Sequence, residues 1–145
     1  MAIENTEGYQ LLSRLLNAFG KDAATVLDLF HTDAVVEYPY AKSMNKMAAL
    51  NMSEYRAYME QVLPGMPDLK FTDLRVYPLQ EAGSFWAEVH GETKHPVTEL
   101  LYEQDYVIHF ALKAGKFIKY KEYWNVLPVL KSILSKEEVL ALITE

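Results

Sequence analysis

Glu122 is the residue whose setting offers chemistry. It lies in the stretch Gly115-Lys-Phe-Ile-Lys-Tyr-Lys-Glu-Tyr-Trp-Asn125, a turn glycine followed by strand-like alternation. On an ideal strand Ile118, Tyr120, Glu122 and Trp124 share one face, and Phe117, Lys119, Lys121, Tyr123 and Asn125 share the other. The two lysines mark the second face as the wetter one. Glu122 therefore points with an isoleucine, a tyrosine and a tryptophan into the apolar side of a sheet, where a lone carboxylate is costly to ionise. Two readings follow. In one, a lysine, an arginine or a tyrosine hydroxyl from a neighbouring strand satisfies Glu122 and no chemistry results. In the other, Glu122 lines an open pocket, and desolvation lifts its pKa toward neutrality and makes it a proton shuttle.

Other polar residues are weighed by the same alternation. Asp105 and His109 share a face with Glu103 and Val107, whereas Tyr102 goes with Gln104, Tyr106, Ile108 and Phe110. If Tyr102 faces the cavity, Asp105 and His109 face away. Trp86, Glu88, His90 and Glu92 alternate against Phe85, Ala87, Val89 and Gly91, so Glu88 or His90 is either a pocket group or part of a charged outer or dimer-facing surface. Asp73 and Arg75 share a face and are expected to pair. The four histidines, His31, His90, His95 and His109, show no metal-ligand spacing on one element, so no metal is expected. No Gly-rich phosphate loop, nucleophile elbow or cofactor fingerprint is present, and no cofactor is expected.

The elements that must position these groups are readable in order. Leu11, Leu12, Leu15, Leu16 and Phe19 fall at helical spacing between a cap at Thr6 and a stop at Gly20, and Ala23, Val26, Leu27 and Phe30 make a shorter second stripe. His31 reads as an exposed residue at that helix's end. Ala34 to Tyr38 predicts a short strand ended by Pro39, and the methionine-bearing stretch from Tyr40 to Met52 reads as a pliable rim over a pocket. Ser53 is placed as the cap of a helix with Tyr55, Tyr58, Met59, Val62 and Leu63 inward. Period-two patterns then predict strands near Leu69 to Tyr77, Ser84 to Thr93, Leu101 to Leu112 and Phe117 to Asn125, joined by short turns as antiparallel hairpins. In the tail, Pro128 sits at a helix start, and Ser135 with Glu138 forms a capping box.

Composition narrows the classes. A chain of 145 residues, 50% hydrophobic, predicts one domain spanning residues 1–145 with a sizeable core. A formal net charge of -6 with no basic run argues against nucleic acid and anionic membrane as partners. The absence of cysteine excludes disulfides and thiol chemistry, and no apolar run reaches membrane-spanning length. The acidic N-terminus lacks the features of a signal peptide, so the cytoplasm is the expected location.

Helices followed by a long meander form an α+β pattern, in which a curved antiparallel sheet wraps the N-terminal helices as a cone with its mouth as a small-molecule pocket. This order resembles the nuclear transport factor 2-like (cystatin-like) fold. Three stretches, Phe85-Trp-Ala-Glu-Val-His-Gly91, Tyr102-Glu-Gln-Asp-Tyr106 through Phe110 to Gly115-Lys116, and Lys121-Glu-Tyr-Trp-Asn-Val126, resemble its SnoaL-like branch, in particular the PhzA/PhzB-type proteins of phenazine biosynthesis. The resemblance implies that Glu122 occupies the acid/base glutamate position and that Tyr102 is a tyrosine of the same pocket. Residues 27–33 hold no arginine where that subfamily brings a basic residue to an acidic substrate, and its pocket histidine has no match here. The catalytic positions of ketosteroid isomerase, of the same fold, fall at Tyr38, near Leu12, and near Val107 or Ile108, so that mechanism is not implied.

Two functions are carried forward. The first is a cofactor-free isomerase, cyclase or condensing enzyme for an apolar carbonyl or polyketide-like compound. In it Glu122 moves the proton, Tyr102 donates to an oxyanion, and Tyr38, Tyr120, Trp124 and Met59 line the ligand, with Glu88 and His90 as further pocket candidates. The second is a non-catalytic small-molecule binder or dimerising accessory module. A homodimer through the outer sheet face is expected in either case.

Overall fold

The computed structural model describes residues 6–144. Helices α1 (Glu7–Ala18) and α2 (Ala23–Leu27) come first, then strand β1 (Phe30–Glu37), a 3-10 turn (Pro39–Met44), β2 (Ala49–Leu50) and α3 (Met52–Val62). The long strands β3 (Lys70–Pro78), β4 (Ser84–Lys94), β5 (Leu101–Lys113) and β6 (Lys116–Tyr123) follow, and α4 (Val126–Ser132) and α5 (Lys136–Ile143) close the chain. The class is α+β, with one six-stranded sheet in the order β2-β1-β6-β5-β4-β3. Strands β3 to β6 pair as consecutive antiparallel hairpins, as their period-two patterns and short turns require. β1 runs parallel to β6, an exception to the all-antiparallel expectation. No helix of the described residues is long and apolar enough to cross a membrane.

Local chemistry sets most element ends. The Thr6 hydroxyl accepts from the Tyr9 N–H and starts α1. The cap of α3 is Asn51 rather than Ser53: Asn51 Oδ1 accepts from the Glu54 N–H and Glu54 Oε1 accepts from the Asn51 N–H, each at 2.9 Å. Ser135 and Glu138 form the expected box at α5. β1 starts earlier than its apolar run suggested, because Phe30 pairs in register with Phe117; His31 is thus a strand residue near Asp33 and not a helix end. The stretch read as a rim is ordered instead by the 3-10 turn and by β2, which pairs with β1 through Leu50 and Val36.

Two bulges redirect side chains. On β6, Phe117 pairs with Leu112 while Lys119 pairs with Ala111, so Ile118 is the extra residue. Phe117 consequently turns inward and is fully buried among Phe30, Phe110 and Tyr120, where simple alternation had placed it on the outer face. On β3, Thr72 pairs with His90 and Arg75 with Glu88, leaving Asp73 and Leu74 opposite Val89, with Asp73 at φ 60°. Arg75 therefore bonds Glu88 across the sheet at 3.3 Å rather than Asp73 along it.

The sheet's inner face and α1 to α3 share one hydrophobic cluster that includes Leu12, Leu15, Val26, Phe30, Tyr38, Tyr55, Met59, Phe110, Phe117 and Tyr120. Gly91 lies under this face. A Cβ there would stand 2.9 Å from the Tyr106 ring and 3.0 Å from Phe71, so only glycine lets those two rings meet over the strand. Past the end of β6 the chain is clamped by Gln104, 2% exposed, whose Nε2 donates to the Asn125 carbonyl at 2.6 Å and whose Oε1 accepts the Asn125 N–H at 2.8 Å. Removing the amide leaves two backbone groups without partners. Gln104→Ala is expected to lower the unfolding free energy by about 2–3 kcal/mol, measured by urea denaturation, and a loss below about 0.5 kcal/mol would show that the clamp is dispensable.

Candidate active site around Glu122

Cross-strand register places Glu122 opposite Ile108 and Tyr120 opposite Phe110, both on the inner face. Glu122 is only partly covered from solvent, yet it sits in a dense shell of aromatic rings. Its partner is the Tyr120 hydroxyl, which donates to Oε1 at 2.9 Å. Among the described residues no lysine, arginine or histidine pairs with it. Burial pushes the Glu122 pKa up to about 7, and the Tyr120 hydrogen bond only partly opposes this.

The shell is made of tyrosines drawn from four parts of the chain. Tyr38 follows β1, Tyr55 and Tyr58 come from α3, Tyr102 and Tyr106 from β5, and Tyr120 from β6. Burial raises the pKa of each, and the Glu122 charge raises each further. Tyr58 is pushed up to about 12. All six are therefore neutral hydroxyls at physiological pH, able to donate a proton in a hydrogen bond without surrendering it. The rings also touch: Tyr38 meets Tyr58 at 5.7 Å between centroids, and Phe30 joins Tyr55 at 5.1 Å to Tyr120 at 5.8 Å. The Tyr102 hydroxyl interacts with the Gln104 side chain and the Tyr106 hydroxyl.

Of the residues singled out from sequence, Glu122, Tyr102, Tyr38 and Tyr120 come together in this cluster. Met59 is buried one helical turn beyond Tyr55 in the adjoining core. Glu88 and His90 do not join. They stand on the outer face by strand alternation, where Glu88 holds Arg75, and His90 lies 2.8 Å from Asp105, 3.1 Å from Glu92 and 3.9 Å from Glu103. These carboxylates raise the His90 pKa. Trp124 follows directly after β6, which ends at Tyr123, and packs against the hydrophobic cluster that contains Tyr38, Tyr55 and Tyr120. It lines an open depression of about 490 Å³ with Tyr40, Asp105, Val107, Tyr123, Asn125 and Val126. A second depression, of about 440 Å³, lies at the turns flanked by Pro67 and His95. Neither includes Glu122. The sequence gives no role to Tyr55 and Tyr58, read only as inward helix residues, or to Tyr106, read only as sharing a strand face with Tyr102. Their signal was there in the spacing of Tyr55 and Tyr58 on one helix and in the shared face of Tyr102 and Tyr106.

The comparisons agree with this fold. The SnoaL-like domain family matches residues 12–120, and the chain belongs to that family. It is similar to an uncharacterised PhzA/B-like protein of Pseudomonas aeruginosa, 29% identical over 112 residues that cover 77% of this chain and 79% of that protein. Among solved structures it resembles a candidate isomerase from Bacillus subtilis, with a TM-score of 0.79, 24% identity and coverage of 87% and 91% of the two chains. It likewise resembles the phenazine biosynthesis-related protein PhzB2 of Pseudomonas aeruginosa, with a TM-score of 0.73, 19% identity and coverage of 88% and 84%. The chain thus has the nuclear transport factor 2-like architecture of the SnoaL-like family, close to the PhzA/B group.

The raised pKa makes stability depend on pH. Because the folded chain holds the Glu122 proton more tightly than the unfolded chain, its contribution is complete below about pH 4.5 and is lost as pH rises through about 7. The full loss is at most about 3 kcal/mol, reduced by whatever water reaches the carboxylate. Glu122→Gln, which still accepts from Tyr120, is expected to be more stable than the native protein by about 1–3 kcal/mol at pH 8. The two should converge near pH 4.5. Denaturant unfolding at both pH values checks this; a variant less stable at pH 8 would mean that the carboxylate is held by a countercharge.

Proposed function

We propose that the chain is a cofactor-independent enzyme in which Glu122 moves a proton on a small, largely apolar carbonyl compound. The observation that carries this reading is the placing of the Glu122 carboxyl among tyrosine hydroxyls with one hydrogen bond and, among the described residues, no countercharge, a setting that pushes its pKa up to about 7. As carboxylate, Glu122 takes a proton from the carbon beside a carbonyl; as acid, it returns that proton to another position, which completes an isomerisation or prepares a ring closure. A base with a pKa near ambient pH serves both directions. The tyrosine rings, Tyr38, Tyr102 and Tyr120 among them, supply apolar walls with hydroxyl tips. The isomerase and phenazine-biosynthesis descriptions of the structural neighbours support chemistry on small molecules.

A second reading, a non-catalytic binder, is favoured by one observation: the depression beside Trp124 excludes Glu122. The ketone 2-acetylnaphthalene separates the two readings. With Glu122 as base, the protein should speed deuterium incorporation from D2O into the methyl group, with a rate rising through about pH 7 and falling at least about a hundredfold in Glu122→Gln. Quenching of Trp124 fluorescence by the ketone with no exchange would instead establish the binder.

We further propose a homodimer through the outer face of the sheet. There Tyr77 pairs with Trp86, Trp86 with His109, His109 with Lys121, and Lys121 with Glu37, in a continuous row. Tyr77 and Trp86 are exposed, although their rings could be covered by a second copy. Sedimentation at micromolar concentration should give twice 16.7 kDa, and Trp86→Glu should give the monomer. A dimer indifferent to that substitution would place the interface elsewhere.

A further inference from the structure

Away from Glu122, on the outer face of the sheet, cross-strand register gathers four side chains that no spacing on a single element brings together. His90 and Glu92 alternate on β4, and β5 sets Asp105 opposite His90 and Glu103 opposite Glu92. The His90 side chain is only 28% exposed, and both of its ring nitrogens face carboxylates. Nδ1 lies 2.8 Å from Asp105 Oδ1, whereas Nε2 lies 3.1 Å from Glu92 Oε2 and 3.9 Å from Glu103 Oε2. A carboxylate only accepts, so Asp105 fixes a proton on Nδ1. Nε2 then meets two carboxylates, and it needs a cation between itself and them, either a second proton or a metal ion. A separate observation concerns charge. Glu92 and Glu103 stand directly opposite each other, an arrangement that repels across a ladder, and among the described residues no lysine or arginine pairs with either, not even Lys70, which faces Glu92 from β3. Three carboxylates share one imidazole. A second proton on the ring leaves two negative charges unbalanced, and a divalent ion leaves one.

We propose that His90 Nε2, Glu92 and Glu103 form a binding site for a divalent transition-metal ion of the zinc class, with Asp105 orienting the imidazole. The three donor atoms lie within 4.8 Å of one another. Metal bonds of about 2.0–2.2 Å to nitrogen and oxygen set tetrahedral ligands about 3.3 Å apart. The Nε2 to Glu92 distance already fits, and the Glu103 side chain, 56% exposed, is free to rotate and close the rest. Asp105 at Nδ1 is the outer partner that a metal-bound histidine characteristically has, one that holds the ring and makes Nε2 a better donor. The imidazole also selects the ion. Mg2+ and Ca2+ prefer oxygen shells, whereas Zn2+ accepts one nitrogen together with two carboxylates. The ion ties β4 to β5 on the face opposite Glu122 and takes no part in the proton transfer proposed there, so the site stands whether or not Glu122 is a base.

Zinc chloride titrated calorimetrically into the native protein, first stripped with EDTA and dialysed, should bind at one ion per chain with a Kd in the low micromolar range. His90→Ala, Glu103→Gln and Asp105→Asn should each weaken binding at least about tenfold, and His109→Ala, on the same face but outside the cluster, should leave it unchanged. Glu103→Gln, at an exposed position, carries the test if His90→Ala does not fold. Long-range 1H–15N spectra should show zinc shifting His90 Nε2 while Nδ1 keeps its proton. Zinc bound equally well by His90→Ala and Glu103→Gln is an adventitious surface ion and overturns the proposal, as does coordination through Nδ1. Displacement of zinc by Mg2+ at equal concentration reduces the site to its carboxylates and overturns the part given to His90. Native protein that binds zinc no more tightly than about 100 μM holds a proton where the metal is assigned, and the site is then overturned outright.

Discussion

The structure turns on one unbalanced charge. Glu122 is placed among rings with a single hydrogen bond and, among the described residues, no cation, and each surrounding tyrosine has its own ionisation made harder by that carboxylate. At low effective dielectric such a cluster tolerates one negative charge and not two. The proton abstraction proposed above respects this limit. As the proton reaches Glu122 the carboxylate disappears, and the charge reappears on the oxygen that lost its double bond. The charge migrates inside the shell without doubling. A cation placed beside Glu122 would lower its pKa and remove the basicity that the proposed reaction needs, so the lysines on the outer face are as much a part of the arrangement as the tyrosines on the inner one.

Sheet irregularities do the positioning. The β6 bulge at Ile118 lets Phe117 and Tyr120 face inward together, and Phe117 then supports Phe30, the ring shared by Tyr55 and Tyr120. The bare Cα of Gly91 admits the Tyr106 and Phe71 rings over β4. Gln104 fixes the backbone two residues beyond Tyr123, so the stretch that carries Glu122 is anchored at its far end by a buried amide and at its near end by aromatic packing. Residues remote from one another in the chain thereby hold a single carboxyl group in one orientation.

How much of this could be read from the residues follows the reach of local rules. Strands β3 to β6 were legible to within about two residues because period-two patterns and turn residues are local properties. The inward direction of Tyr120 and Glu122 was legible for the same reason. Phe117 was misplaced because a bulge leaves no mark in the alternation itself, and the Asp73 bulge likewise broke the expected Asp73–Arg75 pair. Trp124 packs on the inner cluster as expected, although the strand stops at Tyr123, two residues before the pattern did. Glu88 and His90 were open between pocket and outer surface, because alternation groups residues by face without saying which face is inner; the buried run Phe85, Ala87, Val89 and Gly91 settles that they lie outside. The gathering of Tyr55, Tyr58 and Tyr106 about Glu122 depends on a helix crossing the sheet, a contact that no local pattern records.

A purely structural role leaves the choice of carboxyl unaccounted for. The Tyr120 hydroxyl needs only an acceptor, and a glutamine amide oxygen offers one with nearly the same volume and no charge. A carboxyl group there is equivalent while protonated and costs stability once ionised, since its pKa of about 7 leaves much of it charged at neutral pH. A structural position gains nothing from that cost. A base gains everything from it, because the free energy that disfavours the carboxylate is the same free energy that drives a substrate proton onto it. The tyrosine shell therefore makes Glu122 a poor structural residue and a strong proton acceptor by one and the same interaction.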